Sequence, residues 1–185
     1  MSTILVTGAT GKQGGAVARG LLGRGHTVRA FTRKADSEAA RALADAGAQI
    51  FVGALEDRTS LDRAVAGADA VFSMGTPFEK GPDVEVTQGI TVADAAKASD
   101  AYLVYTSVGS ADRATGIPHF DSKYRVEQHI RSIGARAAVI APVYFMENAY
   151  FTVDQLKAGI YATPLTPRRT LAQIAVDDTA RCAIA

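Results

Sequence analysis

Three glycines spaced three apart, Gly8, Gly11 and Gly14, stand between the apolar run Ile4-Leu5-Val6 and a stretch whose apolar residues, Ala16, Val17, Leu21 and Leu22, recur at helical spacing. A chain that leaves a strand and enters a helix over so few residues must turn sharply, and glycine permits both the turn and a close approach of bare backbone. The amides at such a helix start point outward, and the helix dipole favours an anion there. The segment Thr7-Gly8-Ala9-Thr10-Gly11-Lys12-Gln13-Gly14-Gly15 therefore reads as a phosphate loop, with Gly11 allowing a pyrophosphate to approach and Gly14 allowing tight helix-to-strand packing. The bland alternative is a tight turn that binds nothing.

The rest of the chain repeats the pattern that this loop opens. Gly23 and Gly25 end the first helix, and Val28 to Phe31 resume a strand, completing one βαβ unit. Ser37 to Ala46 reads as a helix stopped by Gly47, Ile50 to Val52 as a strand, Thr59 to Ala66 as a helix capped by Thr59, and Ala70 to Ser73 as a strand. Val84 to Ala98, Tyr102 to Tyr105, residues 121 to 133 and Ala137 to Ile140 continue the alternation. Alternating strands and helices imply parallel neighbours joined by right-handed crossovers. The expected fold is α/β, a doubly wound parallel sheet of the Rossmann type over residues 1–143. Beyond it, Tyr144, Phe145, Met146, Tyr150 and Phe151 crowd together, Pro164 and Pro167 break a loop, and Asp177 or Asp178 offers a cap to a last, Ala-rich helix. Residues 144–185 read as the beginning of a small substrate or lid lobe, and the final helix as unfinished, which suits a chain cut short.

Composition narrows the function classes. With 185 residues the chain is expected to form one domain, and 20 Lys and Arg against 19 Asp and Glu leave +1, with no basic surface for a direct grip on nucleic acid. Cys182 is the single cysteine, so neither an internal disulfide nor a thiolate cluster is expected. His26, His119 and His129 fall on different elements without ligand spacing, and no metal site is expected. No leader is discernible before the first strand, and no apolar run reaches the ~18 residues of a spanning helix. These features give the expectation of a cytoplasmic protein that does not enter a membrane.

A dinucleotide site declares its cofactor at the end of the second strand, where a carboxylate receives the ribose hydroxyls or a cation meets a 2′-phosphate. Here the residues are Phe31-Thr32-Arg33-Lys34, with no carboxylate before Asp36. The planar fork of Arg33 and the second charge of Lys34 favour NADP(H) over NAD(H), the alternative being two solvated loop cations. Glu56 and Asp57 after the third strand read equally well as an adenine-pocket wall or as charges at a helix start. The residues after the later strands, Ser73 to Pro77, Thr106 to Ser110 and Pro142 to Tyr144, are placed to surround a nicotinamide.

The Tyr and Lys pair, four residues apart, that serves proton transfer in short-chain dehydrogenases is missing, since no tyrosine is followed by lysine at that spacing. In its place stand His119 and Lys123, one helical turn apart. Imidazole exchanges a proton near neutral pH, although a charged His119 beside Lys123 meets like-charge repulsion. Lys123 is a candidate for the nicotinamide ribose, against the alternative of an i, i+4 ion pair with Glu127. His119 is a candidate proton donor, against a helix-start residue behind Pro118.

Together, Thr7 to Gly14, Val28 to Arg33, Pro118-His119-Phe120-Asp121-Ser122-Lys123-Tyr124 and Phe145-Met146-Glu147-Asn148 resemble the NmrA-like proteins, which are atypical short-chain dehydrogenase/reductases. The resemblance implies an NAD(P)-binding Rossmann domain with a small C-terminal lobe, and a function either as a redox-sensing regulator or as an NADPH-dependent quinone or carbonyl reductase. It implies that Gly8, Thr10, Gly11, Gln13 and Gly14 hold the pyrophosphate, Arg33 the 2′-phosphate and Lys123 the ribose, with Pro142 and Tyr144 near the nicotinamide. Ala141 stands where many relatives carry Arg, and relatives continue beyond Ala185. An intact phosphate loop beside an altered proton-transfer site favours the regulatory module, with a protein partner, slightly over the reductase with a quinone-like substrate. The short lobe also implies exposed apolar surface near Phe145 and Phe151.

Overall fold

Six strands, β1 (Thr3–Val6), β2 (Thr27–Thr32), β3 (Gln49–Val52), β4 (Ala70–Met74), β5 (Tyr102–Thr106) and β6 (Ala137–Ile140), form the central sheet of a computed structural model. The structure describes residues 1–162, 165–166 and 168–185. The strands run parallel in the order β3-β2-β1-β4-β5-β6, so the chain winds outward from β1 in one direction and restarts beside it in the other. That reversal leaves a crevice at the carboxyl ends of β1 and β4, where an open α/β sheet receives its ligand.

Side-chain alternation along the strands divides the core in two. Ile4, Val6, Val28, Ala30 and Phe72 pack with α1 (Lys12–Gly23) and α2 (Glu38–Asp45) on one face. Leu5, Phe31, Val71, Leu103 and Tyr105 pack with α3 (Arg58–Val65), α4 (Pro82–Ala98) and α5 (Pro118–Ser132) on the other. Both faces are covered, which explains why the strands read as continuous apolar runs.

Local chemistry shifts two expected boundaries. The start of α3 is capped by Asp57, whose carboxylate accepts the Thr59 amide at 3.0 Å, so Thr59 is the capped residue and not the cap. Helix α5 begins at Pro118, three residues before the expected start, because the fixed φ of proline suits the first helical position. His119 and Lys123 thus share one helix.

Beyond β6, β7 (Tyr144–Phe145) pairs in parallel with β8 (Gln173–Ile174), and a short helix, α6 (Val153–Lys157), lies between them. The expected break at Pro164 and Pro167 lies outside the described residues. The last helix, α7 (Val176–Ala183), returns to pack on α1, with Val176 and Ala180 buried in the same core cluster. Neither Asp177 nor Asp178 caps it. Ala175 holds the cap position, Glu147 reaches across to accept the Val176 amide at 2.9 Å, and both aspartates lie in the first turn, where the dipole favours them.

Candidate functional site

The crevice is built first by the exit of β1. Buried Thr7 donates its amide to the Phe72 carbonyl at 2.9 Å and accepts the Met74 amide on its hydroxyl at 3.1 Å, tying β1 to β4 just below the glycine turn. Gly8 follows with φ +60°, and a Cβ there would meet the Met74 Sδ at 2.5 Å. A Cβ on Gly14 would collide with the Gly8 carbonyl and stand 2.7 Å from the Thr7 carbonyl oxygen, so α1 rests directly on the loop. No side chain caps α1 at Gly11 and no acidic residue stands in its first turn, leaving the positive end of the helix open to an anion.

Two cavities meet along this edge and share Met74, Gly75 and Thr76. The smaller, about 270 Å³, is walled by Gly8, Thr10, Gly11, Arg33 and Glu56 among others. The larger, about 760 Å³, is walled by Gln13, Lys123, His119, Pro142 and Tyr144, with Phe78, Phe120, Phe151 and Leu171 giving it an apolar lining. The structure thus brings nearly every expected site residue to one continuous crevice. Gly14 lines neither cavity and acts through packing. Lys34 is exposed and stands outside both walls.

The charges of the smaller cavity are already paired. Arg33 meets Glu79 at 2.9 Å, both of them more than half exposed. Glu56 accepts from Lys80 and from Gln88, each at 2.9 Å. These hydrogen bonds, the one from Lys80 foremost, hold the Glu56 carboxyl below its ordinary range. Of the two carboxylates after β3, then, Glu56 is a wall residue and Asp57 is a helix cap.

In the larger cavity the Lys123 ammonium donates to Glu85 Oε1 at 2.7 Å and to the Gly75 carbonyl at 3.1 Å. Glu85 is 1% exposed and receives a second, short hydrogen bond from the Ser122 hydroxyl. The lysine therefore pairs with α4, not with Glu127, which instead accepts from Ser107 and from Arg131. An ammonium carries three donors, and the two on Glu85 and Gly75 leave one for the cavity. His119 sits against the rings of Phe78 at 5.8 Å and Phe120 at 4.7 Å. Thr106 is 3% exposed and borders the cavity, and its buried hydroxyl has no hydrogen-bond partner among the described residues.

Tyr105, one residue before it, is buried between the two glutamates. Burial and then the charges of Glu85 and Glu127 push its phenol well above the ordinary range, so it stays neutral and is no substitute for the missing acid. Sequence reasoning missed Glu85 and Glu79. Glu85 looks like any acid in the first turn of a helix, and Glu79 like any charge in a polar loop. Among the described residues, no group of three or more His, Cys, Asp or Glu could hold a metal ion, and no helix is long and apolar enough to cross a membrane.

A family model described as the NmrA-like family matches residues 1–185. The chain belongs to that family. This NmrA-like chain is 34% identical over 160 residues to the NmrA-like family domain-containing oxidoreductase FrzB of a Cladobotryum species, covering 78% of this chain and 47% of that protein. It is 31% identical over 179 residues to the oxidoreductase himF of Aspergillus japonicus, covering 90% and 53%. The chain spans about half the length of the curated relatives it matches.

Among solved structures, the triphenylmethane reductase of Citrobacter superposes with a TM-score of 0.83 at 22% identity, over 99% of this chain and 63% of that one. NmrA, a negative transcriptional regulator, in complex with NADP superposes at 0.83 and 23% identity, over 97% and 59%. The NADPH-dependent quinone oxidoreductase of Escherichia coli, complexed with NADPH, gives 0.83 and 24%, over 97% and 62%. These likenesses are likenesses of fold.

Proposed function

We propose that this NmrA-like chain binds NADP(H) across the crevice and reduces a flat, apolar acceptor, a quinone or small conjugated carbonyl, in the larger cavity. The observation that carries the reading is the uncapped, acid-free start of α1 at the glycine turn, which opens onto the smaller cavity and through Met74, Gly75 and Thr76 onto an apolar chamber. The residues present fit the dinucleotide. Gly8, Thr10, Gly11 and Gln13 would hold its pyrophosphate at the open end of α1, with Gly14 keeping that helix close. Arg33 would meet the 2′-phosphate, with Lys34 adding only long-range charge, and Lys123 would donate its remaining N–H to the nicotinamide ribose. The NADP and NADPH complexes of the superposed reductase and regulator folds support the same reading.

When bound, the dinucleotide supplies one hydride, and the acceptor takes that hydride and one proton to become a hydroquinone or alcohol. His119 is the side chain that would deliver the proton, a modest demand for a quinone because water can also protonate the product oxygen. Lys123, fixed by Glu85 and the Gly75 carbonyl, orients the ribose. Pro142, Tyr144 and the aromatic wall offer an apolar surface that favours a planar ring. In this reading residues 1–143 form the cofactor part and 144–185 contribute the acceptor wall. The single cysteine, Cys182, is exposed and suits a reducing, cytoplasmic setting.

Calorimetric titration with NADP+ should give micromolar or tighter binding, and steady NADPH oxidation should appear across a quinone panel. Thr106→Val, which removes an unpaired buried hydroxyl from the cavity border, should leave the unliganded protein at least as stable as before while weakening dinucleotide or acceptor binding. Absence of micromolar binding refutes the proposal. Binding without turnover across the panel replaces the reductase with the second reading, a regulator favoured by histidine in the tyrosine position. In that case dinucleotide would change partner affinity by a coupling of about 1–3 kcal/mol.

A further inference from the structure

We infer that Glu79 is a specificity-determining residue that competes with a ribose 2′-phosphate for Arg33, an inference resting on the dinucleotide reading above. Arg33 leaves the end of β2 and Glu79 belongs to the loop between β4 and α4, so the 2.9 Å ion pair joins two rims of the smaller cavity. A carboxylate thus engages one edge of the guanidinium that a phosphate monoester would use. Arg33 and Lys80 supply two positive charges to this wall and Glu79 and Glu56 two negative ones, so these four side chains together bring a dianion no net charge. Glu56 is held by both Lys80 and Gln88, whereas the structure gives Glu79 a single ion pair, with Arg33. Glu79 is therefore the carboxylate freer to yield.

A 2′-phosphate on Arg33 must share the guanidinium with Glu79 or displace it, and in either case stands beside that carboxylate. An adenosine ribose with a free 2′-hydroxyl pays neither cost. The preference for phosphorylated over unphosphorylated dinucleotide is accordingly held down by Glu79 and set by the difference between two Arg33 partners. Because the pair is exposed, the effect is modest and salt-sensitive.

The test is calorimetric titration of the whole chain with NADP+, NAD+, 2′-AMP and 5′-AMP. Glu79→Gln should tighten NADP+ and 2′-AMP by about 3- to 10-fold, and move NAD+ and 5′-AMP by less than about twofold. In the Arg33→Ala background the same change should do about twofold or less, exposing the coupling. Asp36→Asn removes an equal charge near β2 but outside the cavity wall, and should act less than about twofold; 0.5 M salt should erase most of the gain. If Glu79→Gln leaves NADP+ unchanged, weakens it, or tightens NAD+ equally, or if Asp36→Asn matches it, the inference is overturned while the dinucleotide reading stands. If the unaltered chain binds no dinucleotide, that reading falls and the inference with it.

Discussion

Removing one partner of the Lys123–Glu85 pair should reveal how much the crevice depends on a buried charge. Glu85 is 1% exposed and Lys123 12%, so each charge relies on the other with little help from solvent. Stripping one member from a buried pair costs about 3–5 kcal/mol. The two halves are unequal here. Glu85→Leu leaves an ammonium that keeps the Gly75 carbonyl and borders a cavity open to water, which places the loss near the lower end, about 3 kcal/mol. Lys123→Met strands a carboxylate that retains only the Ser122 hydroxyl, placing the loss nearer 5 kcal/mol. For a chain of this size each kcal/mol moves the melting midpoint by about 2–4 °C, so drops of about 6–12 °C and 10–20 °C are expected. The double variant carries no stranded charge and should lose less than Lys123→Met alone. Differential scanning calorimetry or urea unfolding decides the matter. Midpoints within 1 °C of the unaltered chain, or losses that simply add in the double variant, would refute the reasoning.

Two further outcomes follow from the loop and the cavity wall. Gly14→Ala drives a methyl into the Thr7 and Gly8 carbonyls and should cost about 1–3 kcal/mol and abolish dinucleotide binding, whereas Gly23→Ala, where a Cβ meets nothing within 4 Å, should stabilise by about 0.4–1 kcal/mol; thermal melts and titration check both. Because its partners hold the folded pKa of Glu56 below the ordinary 4.5, its contribution is fully present above that value and is lost as pH falls through the lower folded value. The stability gap between Glu56→Gln and the unaltered chain should therefore be constant from pH 7 to 5 and close below it, as read by urea midpoints.

What the sequence disclosed was whatever depends on neighbours along the chain. Strand runs, glycine spacing and the one-turn separation of His119 and Lys123 are local signals, and the sheet order follows once crossovers are right-handed. What it hid depends on distant partners. Glu85 meets Lys123 across 38 positions, and nothing in the α4 pattern distinguishes that acid from an exposed one. The Glu147 bond to Val176 spans 29 positions, and it displaced the local expectation that Asp177 or Asp178 would cap α7. The sequence offers Arg33 as a phosphate fork and Lys34 as a second charge beside it, but only Arg33 reaches the cavity wall. The Lys123–Glu127 pairing failed for a related reason: i, i+4 spacing permits a contact, and a buried carboxylate on another helix competes for it.

The return of α7 to α1 gives the segment after β6 two footholds on the same body. Its departure is fixed by the β6 edge and its arrival by Ile184, which stands where a Cβ on Gly20 would come within 2.8 Å. Lengthening an excursion anchored at both ends carries only a slowly growing entropic cost. Sequence drift can therefore remodel the larger cavity while the ground beneath the glycine turn keeps its shape, a division that lets one wall of the crevice vary as the other stays fixed.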